Sequence, residues 1–309
     1  MKIIKGGFRT KFVIKFGKTI KSKKLLCIFI FPYTLIKYLI LRITSKEKKS
    51  YSCDFAICAI FKNEALYLEE WIEYHRFIGI NKFYLYNNNS NDNYMEILKP
   101  YIQKNIVELK EYPGDSKQMD AYNDCLMKHK KDTKYILFID IDEFIFDKDF
   151  NALNKVNDTF SNNKLASAIQ INWMIFGSSN EKLYVAKPVL KRFQYRSKID
   201  FDMNKHTKSI VNPRRTLCFL NPHFSIPIGK YVSINIHGET LNGALNNNFK
   251  ENDLRINHYF SKSKEEFILK RQRGCADGNP IRSLELFDYH DKNDCYDDSM
   301  KYFYEKYEK

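Results

Sequence analysis

Short apolar runs alternate with amphipathic ones through much of the chain. Phe55 to Phe61 is apolar almost throughout, as a strand covered on both faces should be. Leu68, Trp71, Ile72, His75 and Ile78 then fall on one helical face, with Asn63 as its cap and Gly79 as its stop. A second strand is predicted over Lys82 to Tyr86, followed by the polar loop Asn87 to Asp92. A short helix to Leu98 is expected to end at Pro100. A third strand is expected at about Ile106 to Leu109, then a turn at Pro113-Gly114. A helix from Ser116 turns Met119, Tyr122 and Leu126 inward, and the fourth strand is Tyr135 to Ile139.

That β-α-β-α-β-α-β order predicts an α/β fold, a mostly parallel central sheet with helices on both faces. Ligands of such sheets lie beyond the carboxyl ends of the strands. Polar clusters stand at those ends: Asn63-Glu64, Asn87 to Asp92, and Asp140 to Glu143. The later half is less regular. Ala168 to Trp173 reads as a strand, followed by a Phe176 to Ser179 loop. Strand-like runs recur near Val189 to Tyr195, Lys208 to Val211 and Tyr231 to Ile236. Leu254, Ile256, His258 and Phe260 alternate onto one face. Ser263 and Glu266 form a capping-box pattern for a helix that runs to Arg273 and stops at Gly274. The tail from Asp288 is charged and tyrosine-rich and has no readable period. The expected organisation is a lead over residues 1–50, a domain over 51–287 and a tail over 288–309.

Charge sets the lead apart. The net charge is +14, which suggests a nucleic-acid partner until it is divided. Residues 1–50 carry 14 Lys and Arg against one acid, Glu47, leaving the rest of the chain at +1. A nucleic-acid partner is therefore not expected, because such a domain carries its basic face on its folded body. Leu25 to Leu41 is an apolar run of 17 residues interrupted by Pro32 and Lys37, with basic flanks on both sides. It is at the short limit for a spanning helix, and balanced flanks do not orient a span. A segment lying on an anionic membrane surface fits it better, with a single span or a core helix as the alternatives. The seven cysteines are odd in number, scattered and without a C-x-x-C pair, which argues against a disulfide framework and for a reducing compartment.

Asp140 and Asp142 stand two residues apart beyond an apolar strand. Carboxylates so placed need a partner or a metal, and a hard divalent cation with oxygen ligands suits them. Acid-x-acid alone also fits a phosphatase-type aspartate or a pair of solvated loop acids. No G-x-x-x-x-G-K-[ST] and no G-x-G-x-x-G occurs, so P-loop and dinucleotide readings fail. Asn63, Glu64, Asn88 and Asp92 can hydrogen-bond a base and ribose, or can simply form turns.

The ordered motifs resemble those of family-92 glycosyltransferases and their bacterial, family-2-like relatives of the GT-A fold. They are Lys62-Asn63-Glu64 with Glu70-Trp71, Tyr86-Asn87-Asn88 with Ser90 and Asp92, and Gln118 with Ala121-Tyr122-Asn123. Phe138 to Ile145, Trp173 with Phe176-Gly177-Ser178, Lys208 to Val211, and Ile256 to Phe260 with Lys262-Ser263, Lys270 and Arg273-Gly274 continue the series. The resemblance covers about residues 54–278. It implies a nucleotide-sugar donor and a Mn2+ or Mg2+ ion held by Asp140, Asp142 and His258, the last 116 residues beyond Asp142. It places Gln118 and Asp140 at the donor and makes Lys208, Lys262 and Arg273 candidates for its diphosphate. Taken without the resemblance, a lone His on an apolar strand face is more often a core residue. His75 is expected to be structural, and His206, His223 and His237 can line an acceptor site or serve the core.

The expected reaction transfers a sugar, of galactose type, from a UDP-sugar to a surface glycan such as lipopolysaccharide or capsule, with inversion. The expected place is the cytoplasmic face of the membrane, held by the basic lead beside a glycan or glycolipid acceptor. Inversion needs a base near the acceptor hydroxyl. Asp277, Glu239 and Glu181 are available, and Asp277 is preferred because it follows the ligand-bearing helix. Competing readings are a nucleotidyl- or phosphotransferase and a non-catalytic membrane-binding protein.

Overall fold

The computed structural model describes residues 35–36, 39, 46–272 and 283–307. Strands β1 (Cys53–Phe61), β2 (Lys82–Asn87), β3 (Val107–Glu111) and β4 (Thr133–Phe138) alternate with helices α1 (Ala65–Phe77), α2 (Tyr94–Gln103) and α3 (Gln118–His129). Next come β5 (Glu143–Phe146), α4 (Ala152–Asn162), β6 (Ala166–Ile175), α5 (Val189–Arg192), β7 (Tyr195–Arg196) and β8 (Thr207–Val211). β9 (Thr216–Asn221), β10 (Phe224–Pro227), β11 (Val232–Ile234), β12 (Thr240–Leu241) and β13 (Arg255–His258) follow. Helices α6 (Lys264–Gln272) and α7 (Leu284–His290), strand β14 (Cys295–Tyr296) and helix α8 (Lys301–Tyr307) complete the order.

The main sheet runs β12-β11-β6-β8-β4-β1-β2-β3, with β13 beside β6 and β5 beside β13. β1 is parallel to β2 and β4, and β2 to β3. β8 is antiparallel to both β4 and β6, so β6 points the same way as β4. β11 and β13 are parallel to β6. The sheet is therefore mostly parallel with β5, β8 and β12 reversed, an α/β fold with helices on both faces of the sheet.

β1 shows why both faces are covered. Successive side chains point to opposite faces of a strand. Phe55, Ile57, Ala59 and Phe61 enter one core cluster with Leu68, Trp71 and Ile72 of α1. Ala56, Cys58 and Ile60 enter the other with Ala121, Tyr122, Cys125 and Leu126 of α3.

Local expectations fail where another group takes over the backbone. Asn63 does not cap α1. It sits at φ +52°, and the Ala65 N–H donates instead to Asp92 Oδ2 at 2.9 Å. α2 does not stop at Pro100, because proline lacks only its own N–H and its carbonyl still accepts from Lys104 N–H at 3.2 Å. The expected strand near Val189 is the short helix α5, whose first N–H groups, of Val189 and Leu190, donate to the Glu70 carboxylate at 2.7 and 2.9 Å. α3 begins at Gln118, since Ser116 has φ +54°. The capping box is formed: Glu266 N–H donates to Ser263 Oγ at 3.3 Å and Ser263 N–H to Glu266 Oε2 at 3.2 Å.

The segment from Asp288, unread in the sequence, packs on the body. Met300, Phe303 and Tyr304 join the larger core. Asp297 accepts from Arg196 Nε and Arg255 Nη2, both at 2.7 Å. Asp291 and Asn293 accept the Ser178 and Ser179 N–H groups, which bind the tail to the loop after β6. Gly177 permits that approach, because a Cβ there would lie 2.4 Å from the Lys292 carbonyl.

Glu47 accepts from Arg214 Nε at 3.0 Å and Arg215 Nε at 2.8 Å. The Arg214 guanidinium also donates to the Lys130 carbonyl at 3.0 Å and stacks 4.2 Å from the Tyr51 ring. The sole acid of the basic lead is thus fixed beside the amino ends of β1 and β4. The expected membrane segment, apart from residues 35, 36, 39 and 46–50, lies outside the described residues. Among those described, no helix is long and apolar enough to cross a membrane.

Candidate active site

The turn between β4 and β5 carries both aspartates. It is closed by reciprocal bonds: Asp140 N–H donates to Glu143 Oε2 at 2.9 Å, and Glu143 N–H to the Asp140 carbonyl at 3.1 Å. Lys208 reaches in from β8, its ammonium 2.7 Å from Asp140 Oδ2 and 3.2 Å from Glu143 Oε2. Gln118, first in α3, donates to Asp140 Oδ1 at 2.9 Å. The Asp140 side chain is 34% exposed, against 1% for Lys208 and 0% for Glu143, so Asp140 is the member that meets solvent.

β13 brings His258 to the same place. In the β5–β13 ladder His258 stands directly opposite Glu143. His258 Nε2 lies 3.7 Å from Asp142 Oδ2, and its Nδ1 lies 3.8 Å from Glu143 Oε1. Trp173 of β6 covers the imidazole, with ring centroids 4.4 Å apart. Lys270 of α6 ion-pairs with Asp142 and donates to the Phe260 carbonyl at 3.1 Å.

Burial and charge act against each other here. Burial raises the Asp142 carboxyl, but Lys270 and His258 outweigh it and hold the group well below its usual range. Burial also raises Asp140, and Lys208 reverses that to a net lowering. Glu143 has no such compensation: burial pushes it up to about 8, against the pull of Lys208. Burial lowers Lys208, but Asp140 and Glu143 raise it overall, so the ammonium stays charged. Burial lowers His258 despite Asp142, which favours the neutral imidazole.

Of the three expected ligands, the fold brings Asp142 and His258 together. Asp142 Oδ2 and His258 Nε2, at 3.7 Å, are close enough to share one ion at ligand distances of about 2.1 Å. Asp140 is not gathered with them, since Lys208 and Gln118 engage its carboxylate. Among the described residues, no three His, Cys, Asp or Glu side chains converge closely enough to hold an ion.

The donor candidates divide in a similar way. Asn63, Glu64, Asn88 and Asp92 come together at the carboxyl ends of β1 and β2. Asn63 accepts from Asn91 N–H at 2.8 Å, and Asn88 Nδ2 donates to the Tyr112 and Gly114 carbonyls. Asp92 Oδ1 is buried and has no hydrogen-bond partner. Lys208 is a correction: enclosed and paired with two acids, it neutralises them and does not reach for a diphosphate. Lys262 places its ammonium 3.4 Å from the Tyr67 ring centroid and 4.0 Å from Glu64 Oε2. Arg273 and Asp277 lie outside the described residues. Of the other base candidates, Glu181 pairs with Arg192 at 2.8 Å, and Glu239 accepts from Asn235 and Asn248 at 2.7 Å.

A family model described as glycosyltransferase family 92 matches residues 53–273. The chain belongs to that family. A family-92 protein of Ricinus communis is 27% identical over 205 residues, which is 62% of this chain and 35% of that one. The beta-1,4-galactosyltransferase galt-1 of Caenorhabditis elegans is 24% identical over 250 residues, 75% of this chain and 54% of that one. The chain spans about a third of the length of the plant family-92 relatives it matches. Among solved structures it is similar to Staphylococcus aureus TarS 1–349, at 14% identity and a TM-score of 0.36, over 52% of this chain and 47% of that one.

Sequence reasoning gave no role to two residues of this family-92 site. Glu143 carried a signal, a third acid directly after Asp142 and ahead of the apolar run Phe144 to Phe146. Lys270 stood in the family-like series without a role, because only the tertiary fold brings α6 to Asp142. His75 is structural as expected: it is fully buried, 2.8 Å from the Trp71 carbonyl and stacked on Phe144. His206 and His223 pack on Trp173, with ring centroids 5.3 and 4.9 Å away.

Proposed function

We propose that this chain is a metal-dependent glycosyltransferase that takes a UDP-sugar, of galactose type, and transfers the sugar with inversion to a surface glycan such as lipopolysaccharide or capsule. The observation that carries the reading is the pairing of Asp142 Oδ2 with His258 Nε2 at 3.7 Å, at the carboxyl edge of the sheet of a family-92 chain. Galactosyl transfer is supported by the likeness to the beta-1,4-galactosyltransferase of Caenorhabditis elegans.

Asp142 and His258 would hold Mn2+ or Mg2+, leaving further positions for donor phosphates. Such an ion would neutralise the diphosphate leaving group. Asp140, its charge fixed by Lys208 and Gln118, remains open on one side to a ribose hydroxyl. Asp92 stands with Asn63 at the strand ends, where the nucleoside would lie. Asp277 is kept as the base that takes the acceptor proton. The +13 lead supports attachment to an anionic leaflet on the cytoplasmic face, beside a glycolipid acceptor. It joins the body at the amino end of β1, so the site stands roughly 27 Å along that strand from the junction.

The experiment is incubation of the chain with a panel of nucleotide sugars and Mn2+, with release of nucleoside diphosphate measured. UDP release that needs Mn2+ and is lost in Asp142→Ala is expected. No release from any donor, in the presence of lipopolysaccharide and capsular acceptors, would sink the reading.

A further inference from the structure

The amino edge of the main sheet collects positive charge that a sum over the body hides. The connections at that edge are residues 78–81, 104–106, 130–132, 163–165, 212–215 and 228–231. They carry seven bases and one acid, Asp132. The four connections that leave β1 to β4 at the carboxyl edge, 62–64, 88–93, 112–117 and 139–142, carry two bases and five acids. The body is near neutral in total and polarised between its two edges.

The basic turns are tied into one surface. Arg214 Nη1 donates to the Lys130 carbonyl and Arg215 Nη1 to the Lys164 carbonyl, both at 3.0 Å. Val232 N–H donates to the Leu165 carbonyl at 3.0 Å, which brings the Lys230 turn to the Lys164 turn. Lys131, Lys164 and Lys230 are exposed. Leu165, an apolar side chain 47% exposed, stands among them. The lead reaches the same edge: Glu47 accepts from Arg214 and Arg215, and its neighbours Lys46 and Lys48 are exposed. The clustering of charge is felt inside the fold, where burial first and then Lys131 and Arg214 lower the Lys130 ammonium from its ordinary value.

We propose that this amino edge is a docking surface for the anionic headgroups of a lipid bilayer, so that the body rests on the leaflet with its carboxyl edge turned away. The inference rests on the reading of the lead as a membrane-attaching segment and extends the contact to the folded body. Lipid is favoured over a nucleic acid because the edge is continuous with a lead that carries the apolar run Leu25 to Leu41. That run and the exposed Leu165 gain from a bilayer and not from a phosphodiester backbone. Each Lys or Arg held at an anionic leaflet strengthens binding about fivefold.

The full chain would be sedimented with vesicles of phosphatidylcholine alone and of phosphatidylcholine mixed with phosphatidylglycerol. The wild type is expected to bind the anionic vesicles and to leave them as salt rises. Lys164→Gln combined with Lys230→Gln should weaken that binding about thirtyfold. Lys182→Gln combined with Lys198→Gln removes the same charge from the loops beyond the carboxyl end of β6 and should leave binding nearly unchanged. Tryptophan placed by Leu165→Trp should be quenched by lipids brominated near the headgroup, whereas Leu183→Trp, in the loop after β6, should not. Wild-type affinity in the Lys164 and Lys230 variant would overturn the proposal and leave the lead as the sole anchor. An equal loss in both double variants would overturn it too, since overall charge and not this edge would then govern binding. Binding to no vesicle overturns it together with the membrane reading of the lead. Tighter binding to duplex RNA than to anionic vesicles at equal phosphate would overturn it in favour of a nucleic acid.

Discussion

Lys208 sets its ammonium 2.7 Å from Asp140 Oδ2, across the antiparallel pair β4–β8. The same nitrogen lies 3.2 Å from Glu143, so one buried cation answers two acids. Removing one partner of a buried ion pair leaves the other uncompensated, at about 3–5 kcal/mol. Lys208→Met should therefore lower the thermal midpoint by on the order of 10 °C. It should also release Asp140, whose orientation at the donor depends on that contact. A calorimetric midpoint unchanged from wild type would show that the lysine is not the counter-charge described.

Lys270 stands in the same relation to Asp142, with a different expected consequence. Its ammonium occupies the oxygen that His258 also approaches, so it competes with any cation for that place. Lys270→Met should destabilise the metal-free protein by about 3–5 kcal/mol. Mn2+ at a hundred times its dissociation constant should then return about 2.7 kcal/mol. The thermal shift produced by Mn2+ should be larger in the variant than in the wild type. Equal shifts at the same free Mn2+ concentration would count against Asp142 as the shared ligand of lysine and metal.

How much of this was legible depends on how far apart the cooperating residues are in the chain. The parallel half was readable because β1, β2 and β4 are largely apolar and each helix follows its strand at once. The Ser263–Glu266 capping box was readable because both partners lie within one turn. α5 was missed because its amino end is capped by Glu70, 119 residues away from Val189. Asn63 was misread as a cap because Asp92 supplies that acceptor from another loop. Lys208 was a diphosphate candidate only through the family resemblance, with a solvated charge as the alternative. Only the β4–β8 register shows it enclosed with two carboxylates. The tail was opaque because its partners, Arg196 and Arg255, come from separate strands.

Asp297 gives the tail a pH signature. Burial would raise its carboxyl, but Arg255, Ser299 and Arg196 hold it down to about 2, below the usual aspartate range. The folded value is the lower one, so the group stabilises the fold above its unfolded pKa and loses that contribution as pH falls toward 2. The difference corresponds to about 2 kcal/mol. Asp297→Asn should therefore be less stable than wild type near neutrality, and the gap should narrow between pH 4 and pH 2. Urea midpoints measured across that range check it, and a gap independent of pH would refute the ion-pair origin.

Asp92 separates a structural role from a binding one within a single carboxylate. Oδ2 accepts the Ala65 N–H and so starts α1, while the buried Oδ1 has no partner. Asp92→Asn can keep the helix contact through its amide oxygen, but it puts a donor where the buried, unpaired Oδ1 stands. Asp92→Ala removes both. If Oδ1 receives a nucleoside hydrogen bond, the asparagine variant should bind UDP about tenfold more weakly, with its thermal midpoint nearly unchanged. The alanine variant should lose affinity and also about 1 kcal/mol of stability, the usual cost of a lost cap. Titration calorimetry with UDP and Mn2+ beside thermal unfolding makes the comparison. Full UDP affinity in Asp92→Asn would confine this residue to the start of α1 and move the nucleoside contact elsewhere on the strand ends.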